Sequence, residues 1–208
     1  MKKLYLLRHG QTEFNVKKLV QGRCDSPLTD LGRQQAGAAA AWLKAHNVTP
    51  DKVISSPLGR AMDTASLVAT ELLGPDAAVE PCEGIIERCY GTFEEGPHDA
   101  LPTDVWDPGE DLVPFGGEGS KALQERMVAT LANLMSAKGT ETLLAVSHGS
   151  ASRQFIKAAV PEGFELPAKL PNCAIMIFDF AEEEPGEEGK PPQCKFTLQQ
   201  IVDPQQSN

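Results

Sequence analysis

Two segments dominate the chemistry this sequence can offer: Arg8-His9-Gly10 near the start and His148-Gly149 far downstream, with Arg60 and Glu87 between them. Guanidinium groups are planar, permanently charged forks, so a pair of them suits a tetrahedral dianion. A neutral histidine beside them can act as nucleophile, and a second can hold the transferring group. Phosphoryl transfer also needs a proton for the departing oxygen. Glu87, after the apolar pair Ile85-Ile86, is the candidate donor, with Glu83, Glu94 and Glu95 as neighbouring competitors. The scheme calls for no metal and no organic cofactor, because arginines neutralise the equatorial charge that metal ions neutralise elsewhere. No HxxxH pattern or acid cluster at ligand spacing suggests a metal-dependent hydrolase.

These residues need a scaffold that brings them to one edge. Leu4–Leu7 reads as a buried strand that ends at Arg8-His9, and Thr142–Ser147 as a second that ends at His148. If both are central and parallel, the two histidines emerge together, at the carboxyl edge where open α/β sheets collect ligands. Thr29 is expected to cap a helix reaching about His46. Lys52–Ser55 reads as a short strand, followed by a helix with Ala61, Ala65, Val68 and Leu72 on one face, stopped at Gly74-Pro75. Arg60 falls in the first turn of that helix, where the positive dipole end also favours an anion.

A third strand is expected over 78–83, a helix over 120–137 with Ser120 as its cap, and another over 150–160. Residues 173–180 and 194–201 read as antiparallel strands joined by a solvated acidic loop. The alternation indicates an α/β fold: a mostly parallel central sheet with helices on both faces and antiparallel strands at the C-terminus. Residues 89–119 show no sustained period and read as an inserted lid.

The chain has 208 residues, 41% of them hydrophobic, which suits a single domain over 1–208. A formal net charge of -10 argues against nucleic acid and anionic membrane as partners, leaving a small phosphorylated substrate; a homodimer is compatible with the sequence. No apolar run is long enough for a membrane span and MKKLYLLRHG lacks a signal-peptide core, so the expected compartment is the cytoplasm. Five scattered cysteines without a CxxC pair fit ordinary reduced thiols.

At the level of motifs, LLRHGQTEFN followed by QGRCDSPLTDLG resembles the opening signature of the histidine phosphatase (phosphoglycerate mutase-like) superfamily. SSPLGRAMDTA, IIERCYG, FGGEGS and VSHG resemble its later blocks, in the same order. The resemblance implies that His9 is transiently phosphorylated, with its ring oriented by a backbone carbonyl. It implies that Arg8, Arg60 and His148 hold the phosphoryl group and that Asn15 adds a hydrogen bond. Glu87 would act as acid and then as base, while Gln21, Gly22 and Gly149 line the mouth of the site. His46, His98 and Cys89 are read as bystanders, with substrate contact open to His98.

The family contains mutases as well as phosphatases. A phosphoglycerate mutase must hold a carboxylate and a second phosphate position, which demands further cations. Between Cys89 and Ser120 there is no Lys or Arg but there are eight acids: Glu94, Glu95, Asp99, Asp104, Asp107, Glu110, Asp111 and Glu118. Were they to face the pocket, each unscreened contact near about 4 Å would cost roughly 4 kcal/mol against a polyanion at an effective dielectric of about 20. The expectation is therefore a phosphatase for a small phosphomonoester whose remainder is neutral or cationic. A phosphoglycerate mutase is the alternative, and a non-catalytic phosphate-binding protein the third reading.

Overall fold

The computed structural model describes residues 1–160, 166–183 and 193–206. Strands β1 (Lys2–Arg8), β2 (Lys52–Ser55), β3 (Glu80–Pro81), β4 (Thr142–Ser147), β5 (Ile175–Glu183) and β6 (Gln193–Val202) form one sheet in the spatial order β3-β2-β4-β1-β5-β6. The pairs β3·β2, β2·β4 and β4·β1 are parallel, and β1·β5 and β5·β6 antiparallel.

Side chains alternate across the central strands, as the two-residue period of a strand requires. Leu4 and Leu6 of β1, Leu143 and Ala145 of β4, and Met176 and Phe178 of β5 face one core. There they meet α4 (Ser120–Ser136) through Leu123, Met127 and Leu131, and α5 (Gly149–Ala159) through Phe155. Leu7, Leu144, Val146 and Ile175 face the other core, against the alanine-rich stripe of α2 (Asp30–Ala45) and Ala61, Ala65 and Val68 of α3 (Gly59–Leu73). Burial on both faces explains why β1 and β4 read as continuous apolar runs. Thr29 caps α2, its hydroxyl accepting from the Gly32 amide at 3.0 Å.

Three expectations need correction. The third strand shrinks to Glu80–Pro81, both exposed, because Pro81 has no N–H to extend a ladder. Ser120 does not cap α4: Gly119 holds that position, and the Ser120 hydroxyl accepts from Arg88 Nη2 at 2.8 Å. The last long helix starts one residue early, at Gly149, with His148 as its cap.

The insert 89–119 is built of short 3-10 turns around a small core of its own, in which Tyr90, Leu101 and Leu112 pack with Val20. Most of the acidic connection 181–193 lies outside the described residues. Among the described residues, no helix is long and apolar enough to cross a membrane.

Candidate active site

β1 and β4 are adjacent and parallel, with Arg8 registered against Ser147, yet their following helices α2 and α5 pack on opposite faces of the sheet. That divergence opens a crevice beyond the two strand ends. His9 and His148 stand in it, ring centroids 5.2 Å apart. β2 leads into Arg60 at the same edge and β3 into Glu87, so all four parallel strands deliver a residue there.

His9 is 2% exposed. Its Nδ1 lies 2.7 Å from the Gly10 carbonyl. A carbonyl only accepts, so Nδ1 carries the proton and Nε2 is left with its lone pair. The backbone is pinned as well: the His9 amide donates to the Ser147 carbonyl, the Gly10 amide to Thr64 Oγ1, and Asn172 Nδ2 to the His9 carbonyl at 3.1 Å. Burial first, then the charges of Arg60 and Arg8, hold the His9 pKa well below 6.5, so the ring is neutral near pH 7.

Arg60, 1% exposed, donates through Nη1 to the Cys24 carbonyl and through Nη2 to the Gly22 carbonyl, both at 2.7 Å. Asp25 Oδ1 lies 3.4 Å from Nη1, and the same carboxylate caps α3 through the Gly59 and Arg60 amides. Gly22 sits at φ 53, a left-handed conformation that glycine adopts freely. Arg8 donates to the Leu170 carbonyl and lies over the Trp106 ring, 5.1 Å from its centroid. Burial pulls its guanidinium down to about 10, still charged at neutral pH.

At this site three buried nitrogens have no hydrogen-bond partner among the described residues: Arg8 Nε, Arg60 Nε and His148 Nδ1. A buried unpaired donor costs about 1–3 kcal/mol, so three at one site call for an acceptor that the described residues do not provide. Glu87 accepts from the Arg88 and Ala151 amides through Oε1, both at 2.8 Å, and from the Ser150 amide through Oε2 at 3.2 Å. The Ser150 and Ala151 amides aim its carboxyl from the first turn of α5.

The crevice opens into a cleft, which Arg8, His9, Arg60, Glu87 and Gly149 all line. Asn15, Gln21 and Gly22 line it as well. His148, wholly buried, lies beneath it. Asn15 also builds the capping box of α1 (Glu13–Lys17) with Thr12; its Oδ1 accepts from the Thr12 amide, and none of the described residues accepts from its Nδ2. Gly149 lies so close to Trp106 that a Cβ would stand 2.7 Å from the indole.

The structure corrects the electrostatic reading of the insert, because none of its eight acids lines the cleft. Glu94 braces the 21–24 loop by accepting from the Arg23, Cys24 and Tyr90 amides. Glu118 pairs with Arg126 and Arg23, Asp107 with Lys157, and Glu110 accepts from the Lys121 amide. What the insert brings to the cleft is Tyr90, His98, Val105 and Trp106, an aromatic wall that no periodic signal in the sequence marked. His46 stacks on Trp42 at 3.7 Å, outside the cleft, and Cys89 donates to the Gly116 carbonyl. Among the described residues, no three His, Cys, Asp or Glu are grouped to hold a metal ion.

Known proteins carry the same architecture. A family model for the histidine phosphatase superfamily (branch 1) matches residues 4–188. A curated relative named probable phosphoglycerate mutase GpmB, from Escherichia fergusonii, is 33% identical over 88% of this chain and 87% of its own length. The solved structure of a phosphoserine phosphatase from Entamoeba histolytica in complex with 3-phosphoglyceric acid is 30% identical, covers 97% of this chain and 96% of its own, and superposes with a TM-score of 0.72. A phosphoglycerate mutase from Bacillus anthracis, 20% identical with a TM-score of 0.74 and covering 97% of this chain and 92% of its own, shares the fold. The chain belongs to branch 1 of the histidine phosphatase superfamily.

Proposed function

We propose that the chain is a cytoplasmic, metal-independent phosphatase that hydrolyses a small phosphomonoester through a phosphohistidine on His9. The observation that carries this reading is the presence, at the cleft His9 lines, of three unpartnered buried nitrogens on Arg8, Arg60 and His148, together with a His9 whose Nε2 is left bare. A phosphoryl dianion would accept from Arg8 Nε, Arg60 Nε and His148 Nδ1, and from Asn15 Nδ2 in the cleft lining. His9 Nε2 attacks phosphorus while the P–O ester bond breaks, and Glu87 passes its proton to the departing oxygen. Glu87, now a carboxylate, takes a proton from water as that water attacks the phosphohistidine. Inorganic phosphate leaves, and both side chains return to their starting states. The buried guanidinium charges stabilise the equatorial oxygens in a site of low dielectric.

For the rest of the substrate, the wall of Leu19, Val20, Tyr90, Val105 and Trp106 supports a neutral or cationic group. Among the described residues, no Lys or Arg lines the cleft besides Arg8 and Arg60, so a second phosphate or a carboxylate finds no further counter-ion among them. The mutase reading draws on the name of the curated relative and on Lys18 and Lys169, whose charges reach His98 at the cleft wall.

The test is phosphate release from a panel of phosphomonoesters in EDTA, with phosphoglycerate interconversion assayed alongside. Release without interconversion supports the phosphatase. Efficient interconversion transfers the assignment to the mutase, and binding of phosphate with no turnover on any ester to the non-catalytic reading.

A further inference from the structure

Ser56 follows β2 and is wholly buried; it lies in the SSPLGRAMDTA block, where the chemistry of the sequence drew attention to Arg60 alone. Its Oγ lies 2.6 Å from His148 Nε2, and the Leu58 amide donates to the same oxygen at 3.4 Å. A hydroxyl has one proton to give. Of the two hydrogen-bond partners of Ser56 Oγ among the described residues, the Leu58 amide can only donate, so His148 Nε2 is the one that can accept the Ser56 proton. Were Nε2 to carry the ring proton, the buried Ser56 O–H would be left without an acceptor among the described residues. With Nε2 as acceptor, every proton is placed: Ser56 donates to Nε2, and the proton of the neutral ring sits on Nδ1. That is the buried nitrogen with no protein partner.

We infer that Ser56 is a positioning residue that fixes the tautomer of His148, so that the neutral imidazole presents Nδ1–H, a donor, to the phosphoryl group. The two histidines then divide the work by protonation alone. His9 has Nδ1–H tied to the Gly10 carbonyl and a bare Nε2, and His148 has a bare Nε2 tied to Ser56 and a free Nδ1–H. Burial, with Arg60 next, keeps His148 neutral as well, so its donor cannot come from a second ring proton in the unliganded protein. The role attached to Nδ1–H rests on the phosphatase reading; the tautomer itself does not.

The experiment is long-range 1H–15N correlation of the imidazole nitrogens in the full chain at pH 7.5, with the His148 signals assigned by their loss in His148→Gln. The expected result is protonated Nδ1 and bare Nε2 in the wild type, mixed or reversed protonation in Ser56→Ala, and wild-type protonation in Ser56→Thr, which keeps the hydroxyl. Turnover of the best phosphomonoester should fall about tenfold to a hundredfold in Ser56→Ala, mainly in kcat, and recover in Ser56→Thr. A wild-type spectrum with the proton on Nε2 overturns the inference, and that spectrum decides even if Ser56→Ala does not fold. A folded Ser56→Ala with unchanged tautomer and unchanged kcat overturns it too. If no ester turns over, the phosphatase reading fails while the tautomer remains measurable on its own.

Discussion

Acidification of the unliganded protein should remove stability through His9 and His148 specifically. Both rings are buried, at 2% and 0% exposure, and both have pKa values held well below the ordinary 6.5. The sign follows from proton counting. Below pH 6.5 the unfolded chain binds protons on these two side chains and the folded chain does not, so stability is full above pH 6.5 and is lost as pH falls toward the folded values. Between pH 7.5 and 5.5, a histidine that stays neutral when folded loses at most about 1.4 kcal/mol, the value of one pKa unit. Two give at most about 2.7 kcal/mol. In a chain of this length each kcal/mol moves the midpoint by about 2–4 °C, so the fall is roughly 5–11 °C.

The assay is thermal unfolding at pH 7.5, 6.5 and 5.5 in a buffer free of phosphate, for the wild type and for His9→Gln/His148→Gln. His98 is also lowered, by burial first, and acts in the same direction, but it is present in both proteins and cancels in the difference. Ordinary carboxylates titrate mostly below this window. The double variant should lose most of the pH dependence whatever its absolute stability. An equal midpoint fall in both proteins would refute the claim that the folded site excludes protons from these rings.

His9→Ala should abolish turnover in the phosphate-release assay, and Arg60→Ala should lower kcat/KM by a few orders of magnitude, because it removes a buried charge set against the transferring group. In the wild type, the acid limb of the kcat/KM profile should lie below pH 6.5, since protonating His9 removes the nucleophile; Arg60→Met, which deletes one of the two lowering charges, should move that limb upward. Glu87→Gln should slow aryl esters with poor leaving groups by about 10²- to 10⁴-fold and those with good leaving groups far less, and equal losses across the series would count against Glu87 as the acid. Trp106→Ala should raise KM for esters with apolar groups more than for small polar ones, as measured over the same panel.

The sheet and the placement of Arg8, His9, Arg60 and His148 were legible because each is tied to the end of a strand or the first turn of a helix, and those boundaries are written in local patterns. A strand that ends at Arg-His-Gly can deliver its histidine to only one edge. The insert was legible as an element but not as an electrostatic field, because the sequence lists charges and gives no direction for them. Glu94 reads as one more acid facing a substrate, yet it is spent on three backbone amides. The residues that complete the site, among them Ser56, Thr64 and Asn172, reach it from elements distant in sequence; Ser56 and Thr64 fall inside the SSPLGRAMDTA block, but nothing in that block says which atom each would hold, and Asn172 carries no motif signal at all. Their work is to fix protons and backbone groups rather than to carry charge. A charged cluster can be recognised from composition and spacing; which nitrogen of a neutral ring bears a proton is settled only when its hydrogen-bond partners are known, and the chemistry of this cleft depends on that second kind of information.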